Sequence, residues 1–244
     1  DYIQHVQEND LSVGVAMTDG KGDRSKRPSQ QEVRDAYVHV TERRKDGIVI
    51  SGVKAIITGA PYMHEFLVMP CRRMQEDDKD FTIACAVPVD AKGITIVARP
   101  AGRPENPAAK MSAKFAQAVG VAHFDNVFVP YDKVFIDGDT EEAHIMTTHY
   151  ATHHRHSCIG ARAGFGDLLI GAGAMMAEAN GLDVEKKGHM REKMVDLIKI
   201  TEGFYACGIA ASTMGVHDEA GNFRPDQIYA CLLYTSDAAD EPLC

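Results

Sequence analysis

The chain has 244 residues, 45% of them hydrophobic and 25% charged, which is typical of a globular protein, and its net charge of −9 argues against nucleic acid as the main partner. No apolar run approaches the roughly 18 residues of a membrane-spanning helix, so we expect no membrane contact. The six cysteines are scattered without a CxxC pair, and we therefore expect a reducing, cytoplasmic location.

Strand patterns dominate the first half of the chain, after a short helix predicted over residues 1–9. Alternating or apolar stretches, separated by turns, predict strands over residues 11–15, 37–41, 47–58, 65–69, 81–87, 94–97 and 121–129. Since no helix is predicted between these strands, the pattern favours an antiparallel sheet or barrel over βαβ units. Residues 102–112 contain two prolines and no periodicity, which predicts a loop.

The period changes from strand to helix after Gly138. Asp139 or Thr140 can cap a first helix, and a second, long helix is predicted over about 147–178 before the stop pair at residues 180–181. A third helix is predicted over about 187–214 from its apolar face. The predicted order is therefore a helix, a β domain and then antiparallel helices.

A polar, glycine-rich segment follows the first predicted strand, and we call residues 17–25 the glycine loop. Its glycines permit positive φ and close approach to a ligand. Thr18 and the backbone N–H groups can donate hydrogen bonds, and Lys21 and Arg24 can neutralise a phosphate. The alternative interpretation is an ordinary polar surface turn.

Histidine is concentrated at one place in the helical half of the chain. This density suggests a metal site, and the polar faces of successive helices are an alternative interpretation. The residues concerned are His144, His149, His153, His154 and His156.

The two ends of the chain are unusual. Residues 231–244 break off the preceding pattern and read like translated sequencing-adapter DNA, so we expect this segment to be an artefact. The chain begins at Asp1 without a methionine, and we expect it to be the middle portion of a longer protein.

Four ordered landmarks carry a resemblance to a known family. They are AMTD with GDRS and RPSQQ in residues 16–31, DGIVISGVK with TGA in residues 46–60, FDNVFVP in residues 124–130, and HR with GFGDLLIG in residues 154–171. In this order they resemble the acyl-CoA dehydrogenase-like flavoproteins, in the branch that holds 4-hydroxybutyryl-CoA dehydratase and 4-hydroxyphenylacetate 3-monooxygenase. Residues 21–25 and 77–80 resemble the dehydratase side of this branch.

The resemblance implies an α+β fold of the acyl-CoA dehydrogenase-like type. Residues 1–10 would end an N-terminal helical domain, residues 11–137 would form a flavin-binding antiparallel β-barrel domain, and residues 138–230 would begin a C-terminal helical bundle. It also implies a homotetramer.

The same resemblance implies FAD as cofactor, held between the β domain and the helical domain. A threonine hydroxyl and N–H groups would lie near the flavin ring and a cation near the diphosphate. Without the family resemblance, Thr58 would be interpreted as an ordinary β-branched strand residue. The implied contacts are Met17, Thr18, Asp19, Gly20, Lys21, Gly22, Asp23 and Arg24, with Ile57, Thr58 and Gly59 as a second group.

The dehydratase of this branch also carries an oxygen-sensitive [4Fe–4S] cluster with three cysteine ligands and one histidine ligand. His154 stands at the histidine position, and two of the cysteines would precede Asp1. The remaining cysteine is replaced by Ala161, which cannot ligate iron. Cys158, where the pattern has a tyrosine, is either a substitute ligand or a small buried hydrophobe, and Val119 replaces a glutamate.

Three functions follow from these residues. The first is an FAD enzyme that removes an α-proton from a short acyl-CoA, with His154 as general base or hydrogen-bond donor to the substrate. The second is a two-component aromatic hydroxylase that acts on a phenolic acid. The third is a flavin-binding protein without catalytic activity.

Overall fold

The computed structural model describes residues 1–102, 105 and 110–232, and residues 233–244 of the predicted artefact lie outside this part. The chain divides into two compact units, Asp1–Thr147 and Thr148–Cys244. Among the described residues no helix has the length and apolar character needed to cross a membrane.

The first unit is mainly β structure. Its two short helices are α1 (Tyr2–Glu8) and α2 (Lys110–Phe115). Its strands are β1 (Val13–Ala16), β2 (His39–Arg43), β3 (Gly47–Thr58), β4 (Glu65–Val68), β5 (Ile83–Pro88), β6 (Ile94–Arg99), β7 (Val119–Pro130) and β8 (Val134–Asp137). Helix α2 begins inside the segment predicted as a loop, of which residues 103–104 and 106–109 lie outside the described part.

The second unit is mainly helical. Helix α3 (Thr140–Ala179) begins in the first unit and is followed by α4 (Gly188–Thr213), β9 (Val216–His217), β10 (Phe223–Arg224) and α5 (Gln227–Cys231). The two helices predicted from residue 139 onward are one helix of 40 residues. The prediction of a break near residue 147 is wrong because residues 140–159 contain neither glycine nor proline.

The strands of the first unit form two four-stranded sheets, in the orders β1-β4-β5-β8 and β2-β3-β7-β6. The predicted barrel is wrong, since neither sheet closes on itself among the described strands. The predicted antiparallel arrangement also fails once, because β1 pairs with β4 in parallel. Between these two strands the chain crosses to the other sheet and forms β2 and β3 there, so local alternation could not reveal the pairing.

One hydrophobic core lies between the two sheets. It contains Phe66, Val68 and Cys85 from the first sheet, and Ile48 and Phe124 are among the residues that enter it from the second. Residues alternate between buried and more exposed along β1 and β7, as a period-two pattern predicts, whereas most residues of β3 and β5 are buried.

Helix α1 is tied to the first unit by a buried carboxylate. Tyr2 donates its hydroxyl proton to Glu65 at 2.8 Å, and Lys133 Nζ donates to the same carboxylate at 3.1 Å and lies 4.9 Å from the Tyr2 ring centroid. Partial burial and the Glu65 carboxylate raise the pKa of the Tyr2 hydroxyl. The assignment of residues 1–10 to a preceding helical domain stays a prediction.

The segment that follows the glycine loop is anchored by a second buried carboxylate, Asp78. It is fully buried and accepts hydrogen bonds from Arg27 Nε at 2.9 Å and from the backbone N–H groups of Ser29 and Gln75 at 3.1 Å each. Burial alone raises the pKa of this carboxyl, but the hydrogen bonds from Ser29, Arg27 and Gln75 lower it below its ordinary value. Asp78 is therefore charged in the folded protein at neutral pH.

We predict that Asp78→Asn lowers the free energy of unfolding by about 3 kcal/mol, because Arg27 loses its buried partner. Since the folded-state pKa of Asp78 is depressed, its contribution is present above about pH 4 and is lost as the pH falls through the folded-state value. Urea denaturation between pH 7 and pH 3 should show that the free energy of unfolding falls less with acid in Asp78→Asn than in the wild-type protein. Its exposed neighbour gives the control, Asp77→Asn, and equal losses in both variants would contradict the prediction.

Candidate functional site

The glycine loop and the end of β3 meet at one short stretch of paired backbone. Ala55 donates its N–H to the Thr18 carbonyl at 2.7 Å, and Asp19 and Lys54 form an isolated antiparallel bridge. The two segments predicted to contact the cofactor, residues 17–24 and 57–59, are therefore connected through residues 54–55 of the strand.

A buried ion pair lies directly beneath this stretch. Lys54 Nζ is 2.6 Å from Asp19 Oδ1, and the two side chains are 3% and 2% exposed. The carbonyl groups of Met17 and Met69 accept hydrogen bonds from the same ammonium at 2.9 and 2.8 Å. Asp19 was predicted as a cofactor contact, and most of its hydrogen-bonding capacity serves the interior of the protein.

One polar atom of this pair has no partner within the described residues. Asp19 Oδ2 is buried and accepts no hydrogen bond there, while Oδ1 accepts from the Val38 N–H at 3.3 Å. The Cys71 thiol lies near the pair, where burial and the Asp19 carboxylate raise its pKa to about 11. The thiol is therefore protonated at neutral pH, and Asp19 Oδ2 lies in the interior beside it, not at the surface of the loop.

The outer side of the glycine loop carries the groups that a phosphate would need. Thr18 and Lys21 are partly exposed, and Asp23 and Arg24 are exposed. Asp23 accepts hydrogen bonds from the Ser25 N–H at 2.9 Å and the Ser25 hydroxyl at 2.7 Å, which lower its pKa. Arg24 has no ion-pair partner in the part of the chain that the structure describes, so its charge is available to an anion.

The two glycines of the loop are explained by packing within the protein. A Cβ atom on Gly22, which has φ of +49°, would lie 2.4 Å from Gln31 Oε1, and one on Gly20 would lie 3.0 Å from the Ala36 carbonyl oxygen. Gln31 in turn holds the loop, accepting from the Asp23 N–H at 2.9 Å and donating to its carbonyl at 2.8 Å. These glycines let the loop fold against residues 31–36, whether or not they also approach a ligand.

Strand β3 bends just after the buried lysine. Its register to β7 shifts between Lys54 and Ile57, and Ile56 there has φ of +58°, a strained conformation for a β-branched residue. The bend leaves Ile56 68% exposed and buries Ile57 completely, while Thr58 is exposed. Of the predicted second group, the Thr58 side chain is therefore available to a ligand, and the Ile57 side chain belongs to the core. The prediction for Gly59 finds less support, because Gly59 is buried and donates its N–H to the Ala118 carbonyl at 2.7 Å.

Sequence reasoning missed Lys54 and Ile56. A lone lysine within an apolar strand was the available signal for the first. The sequence holds no signal for the strained Ile56, because a bulge that adds one residue to a strand leaves the apolar run unchanged.

The donors and acceptors of this edge fit a flavin nucleotide. The partly exposed Thr18 hydroxyl can bind a carbonyl oxygen of the ring. The N–H groups of Gly20 and Gly22 already donate to backbone carbonyls of the protein. The Arg24 guanidinium suits a diphosphate.

The second unit places His154 in a small cluster on helix α3. Its Nε2 lies 3.6 Å from the Cys158 sulfur, and the Tyr150 ring stacks on the imidazole with centroids 5.7 Å apart. Partial desolvation lowers the pKa of His154 although the residue is exposed to solvent, and the charges of Arg155 and Arg162 lower it further. The imidazole is therefore mainly neutral at pH 7 and able to accept a proton.

The other histidines of the predicted group point to separate places. His156 Nε2 contacts the Ser212 hydroxyl at 2.9 Å, whereas His149 and His153 line an open cavity of about 480 Å³ with residues 218 and 222–224. Within residues 1–102, 105 and 110–232, no three His, Cys, Asp or Glu side chains are placed to hold a metal ion. With Ala161 in place of a cysteine, the side chains around His154 do not fit an iron–sulfur cluster.

Two family models match nearly the whole chain. The model described as 4-hydroxyphenylacetate 3-hydroxylase N terminal matches residues 1–136, and the corresponding C-terminal model matches residues 143–235.

The 4-hydroxybutyryl-CoA dehydratase/vinylacetyl-CoA-Delta-isomerase of Clostridium aminobutyricum is similar in sequence. It is 38% identical over 239 residues, which cover 94% of this chain and 48% of that protein. The chain thus spans about half the length of this relative.

Solved structures agree with the sequence comparison. The oxygen-tolerant archaeal 4-hydroxybutyryl-CoA dehydratase from N. maritimus has 36% identity and a TM-score of 0.82, over 95% of this chain and 47% of that one. The oxygenase component (HpaB) of 4-hydroxyphenylacetate 3-monooxygenase, complexed with FAD, has 25% identity and a TM-score of 0.83. The match covers 99% of this chain and 51% of that one. An acyl-CoA dehydrogenase from Geobacillus kaustophilus shares the fold, with 14% identity and a TM-score of 0.57. The match covers 82% of this chain and 48% of that one.

We predict that Ile56→Gly raises the thermal stability of the protein by about 1 kcal/mol, because glycine adopts positive φ without strain. Val97→Gly provides the matched control, since Val97 is also β-branched, lies in a strand and is 64% exposed, but has no positive φ. Its replacement should lower stability by about 1 kcal/mol. Thermal denaturation of both variants tests whether Ile56→Gly gains stability while Val97→Gly loses it. A loss of stability in both variants would contradict the strain at Ile56.

Proposed function

Because the chain belongs to the 4-hydroxyphenylacetate 3-hydroxylase family, we propose that it forms part of an FAD-dependent enzyme that removes an α-proton from a short acyl-CoA. The observation that carries this choice is the 38% identity to the dehydratase/isomerase across 94% of the chain. Identity to the 4-hydroxyphenylacetate 3-monooxygenase oxygenase component of Geobacillus sp. is 25% over 92% of the chain.

The edge formed by the glycine loop and β3 is the proposed FAD site. Residues 17–18 and Thr58 would bind the ring, and residues 20–24, with Lys21 and Arg24 as the cations, would bind the diphosphate. The buried Asp19 side chain would hold the loop from inside. FAD when bound supplies an acceptor and donor of electrons at the substrate β-carbon. The chain itself contributes the Thr18 hydroxyl and the two cations on a loop whose backbone is already fixed by hydrogen bonds within the protein.

His154 is the proposed general base. Its lowered pKa keeps the imidazole mainly neutral at pH 7, and Nε2 is the basic atom when Nδ1 carries the ring proton. Stacking on Tyr150 and the contact with Cys158 limit rotation of the ring, which holds this atom in one direction. The proton removed from the substrate would reside on His154 until it is returned.

A shift of a double bond is the favoured reaction. Returning the proton to another carbon of the substrate completes an isomerisation, which requires only a base that holds the proton. Removal of an unactivated hydroxyl requires a further acid, and Ala161 supplies no iron ligand for one.

The second candidate function is a two-component aromatic hydroxylase. It is favoured by the TM-score of 0.83 to the FAD complex of the HpaB oxygenase over 99% of the chain. We also propose, from the family resemblance, a cytoplasmic homotetramer.

The two candidates are separated by assays of the full-length protein with FAD. The favoured function predicts conversion of vinylacetyl-CoA to the conjugated thioester, followed by ultraviolet absorbance. Oxygen consumption with reduced FAD and 4-hydroxyphenylacetate, without that conversion, would support the hydroxylase instead. Iron and sulfide analysis after anaerobic purification should find less than one iron per chain, and about four would contradict the reaction without a cluster.

We predict that His154→Gln lowers the rate of isomerisation by about 10²- to 10⁴-fold, because the general base is lost. The dissociation constant of FAD should stay unchanged, since His154 is not among the proposed flavin contacts. His153→Gln is the matched control on the preceding residue of the same helix and should retain activity. Equal activity of the two variants would remove His154 from the mechanism.

A further inference from the structure

We propose that Lys54 is the positioning residue of the FAD site, which fixes the glycine loop in the shape that binds the cofactor. This inference rests on the proposed flavin function of the loop. Lys54 is not itself exposed to a ligand, because its side chain is 3% exposed, and it acts through the backbone on both sides of Thr18.

The ammonium of Lys54 has three protons and three acceptors. Asp19 Oδ1 lies at 2.6 Å, the Met17 carbonyl at 2.9 Å and the Met69 carbonyl at 2.8 Å. Two of these acceptors belong to the residues directly before and after Thr18. The Thr18 carbonyl is held separately by the Ala55 N–H at 2.7 Å.

The hydrophobic core alone does not require a charge at this position. The neighbouring inward residues of β3 include Ile50 and Ile57, which are fully buried and apolar. Burying an ammonium and a carboxylate is costly, and a well-packed apolar pair is often at least as stable. Such a pair could not hold two backbone carbonyls, which is the specific contribution of the lysine.

The same lysine precedes the bend of β3. The register of the strand shifts between Lys54 and Ile57, and the strained Ile56 lies within that shift. Since Lys54 is tied to Met17 and Met69, the strand is fixed immediately before the bend, and the exposed Thr58 follows it. Both segments of the proposed FAD site therefore depend on one side chain.

The test is the double variant K54M/D19N in the full-length protein, which removes both charges and the ammonium donors. We expect the dissociation constant of FAD, measured by quenching of flavin fluorescence, to rise by about 30-fold because the loop loses its fixed shape. Hydrogen exchange of the Ala55 amide, measured without FAD, should accelerate because its acceptor at Thr18 becomes mobile.

Lys133→Met is the matched control. Lys133 donates to the buried Glu65 at 3.1 Å in the same unit, and within the described residues its ion pair is with Glu65, not with a group of the glycine loop. This variant should lower the thermal midpoint while FAD affinity and Ala55 exchange stay at the wild-type values. FAD affinity of K54M/D19N within threefold of wild type, with unchanged Ala55 exchange, would overturn the proposal.

Two further outcomes are decided by the same measurements. If K54M/D19N does not fold, Lys54→Gln replaces it, and wild-type exchange and affinity in that variant overturn the proposal. If the wild-type protein does not bind FAD, the proposed function fails. The exchange of Ala55 then still decides whether Lys54 orders the loop, because it is measured without the cofactor.

Discussion

The ion pair between Lys54 and Asp19 connects the core of the first unit to its surface. It lies beneath the point where the glycine loop pairs with β3, and its ammonium holds the backbone carbonyls of Met17 and Met69. The pair is buried, so water and salt screen it little. The backbone of the loop is therefore fixed where it reaches the surface, with Thr18 partly exposed and Arg24 exposed.

Other buried polar groups hold the remainder of the loop against the sheets. Asp78 fixes residues 27–29, and Gln31 fixes both backbone groups of Asp23. The glycines at positions 20 and 22 make room for residues 31–36. Hydrogen bonds made within the protein thus organise the polar surface of the loop, which is the condition for binding a cofactor with little rearrangement.

The strands could be predicted from the sequence because alternation reports which face is buried. All seven predicted strands overlap strands of the two sheets, whereas the short strand β8 was not predicted. Their arrangement could not be predicted, because the parallel pairing of β1 with β4 joins strands separated by an excursion to the other sheet. The family is confirmed, since ordered motifs spread over the whole chain are specific even where each is weak.

The candidate site was predicted only in part. The exposed polar groups of the glycine loop follow from residue types, whereas the roles of Lys54 and Ile56 depend on a bulge and on a partner far away in sequence. The contacts of the histidine group could not be predicted either, because helical spacing does not determine which neighbouring side chain each imidazole contacts.

The central claim is that the glycine loop and the end of β3 hold the flavin. The most direct measurement is a crystal structure of the full-length protein with FAD bound. We expect the flavin ring within hydrogen-bond distance of the Thr18 hydroxyl, and the diphosphate beside Arg24. FAD bound elsewhere, with both residues beyond hydrogen-bond distance of the cofactor, would contradict this account.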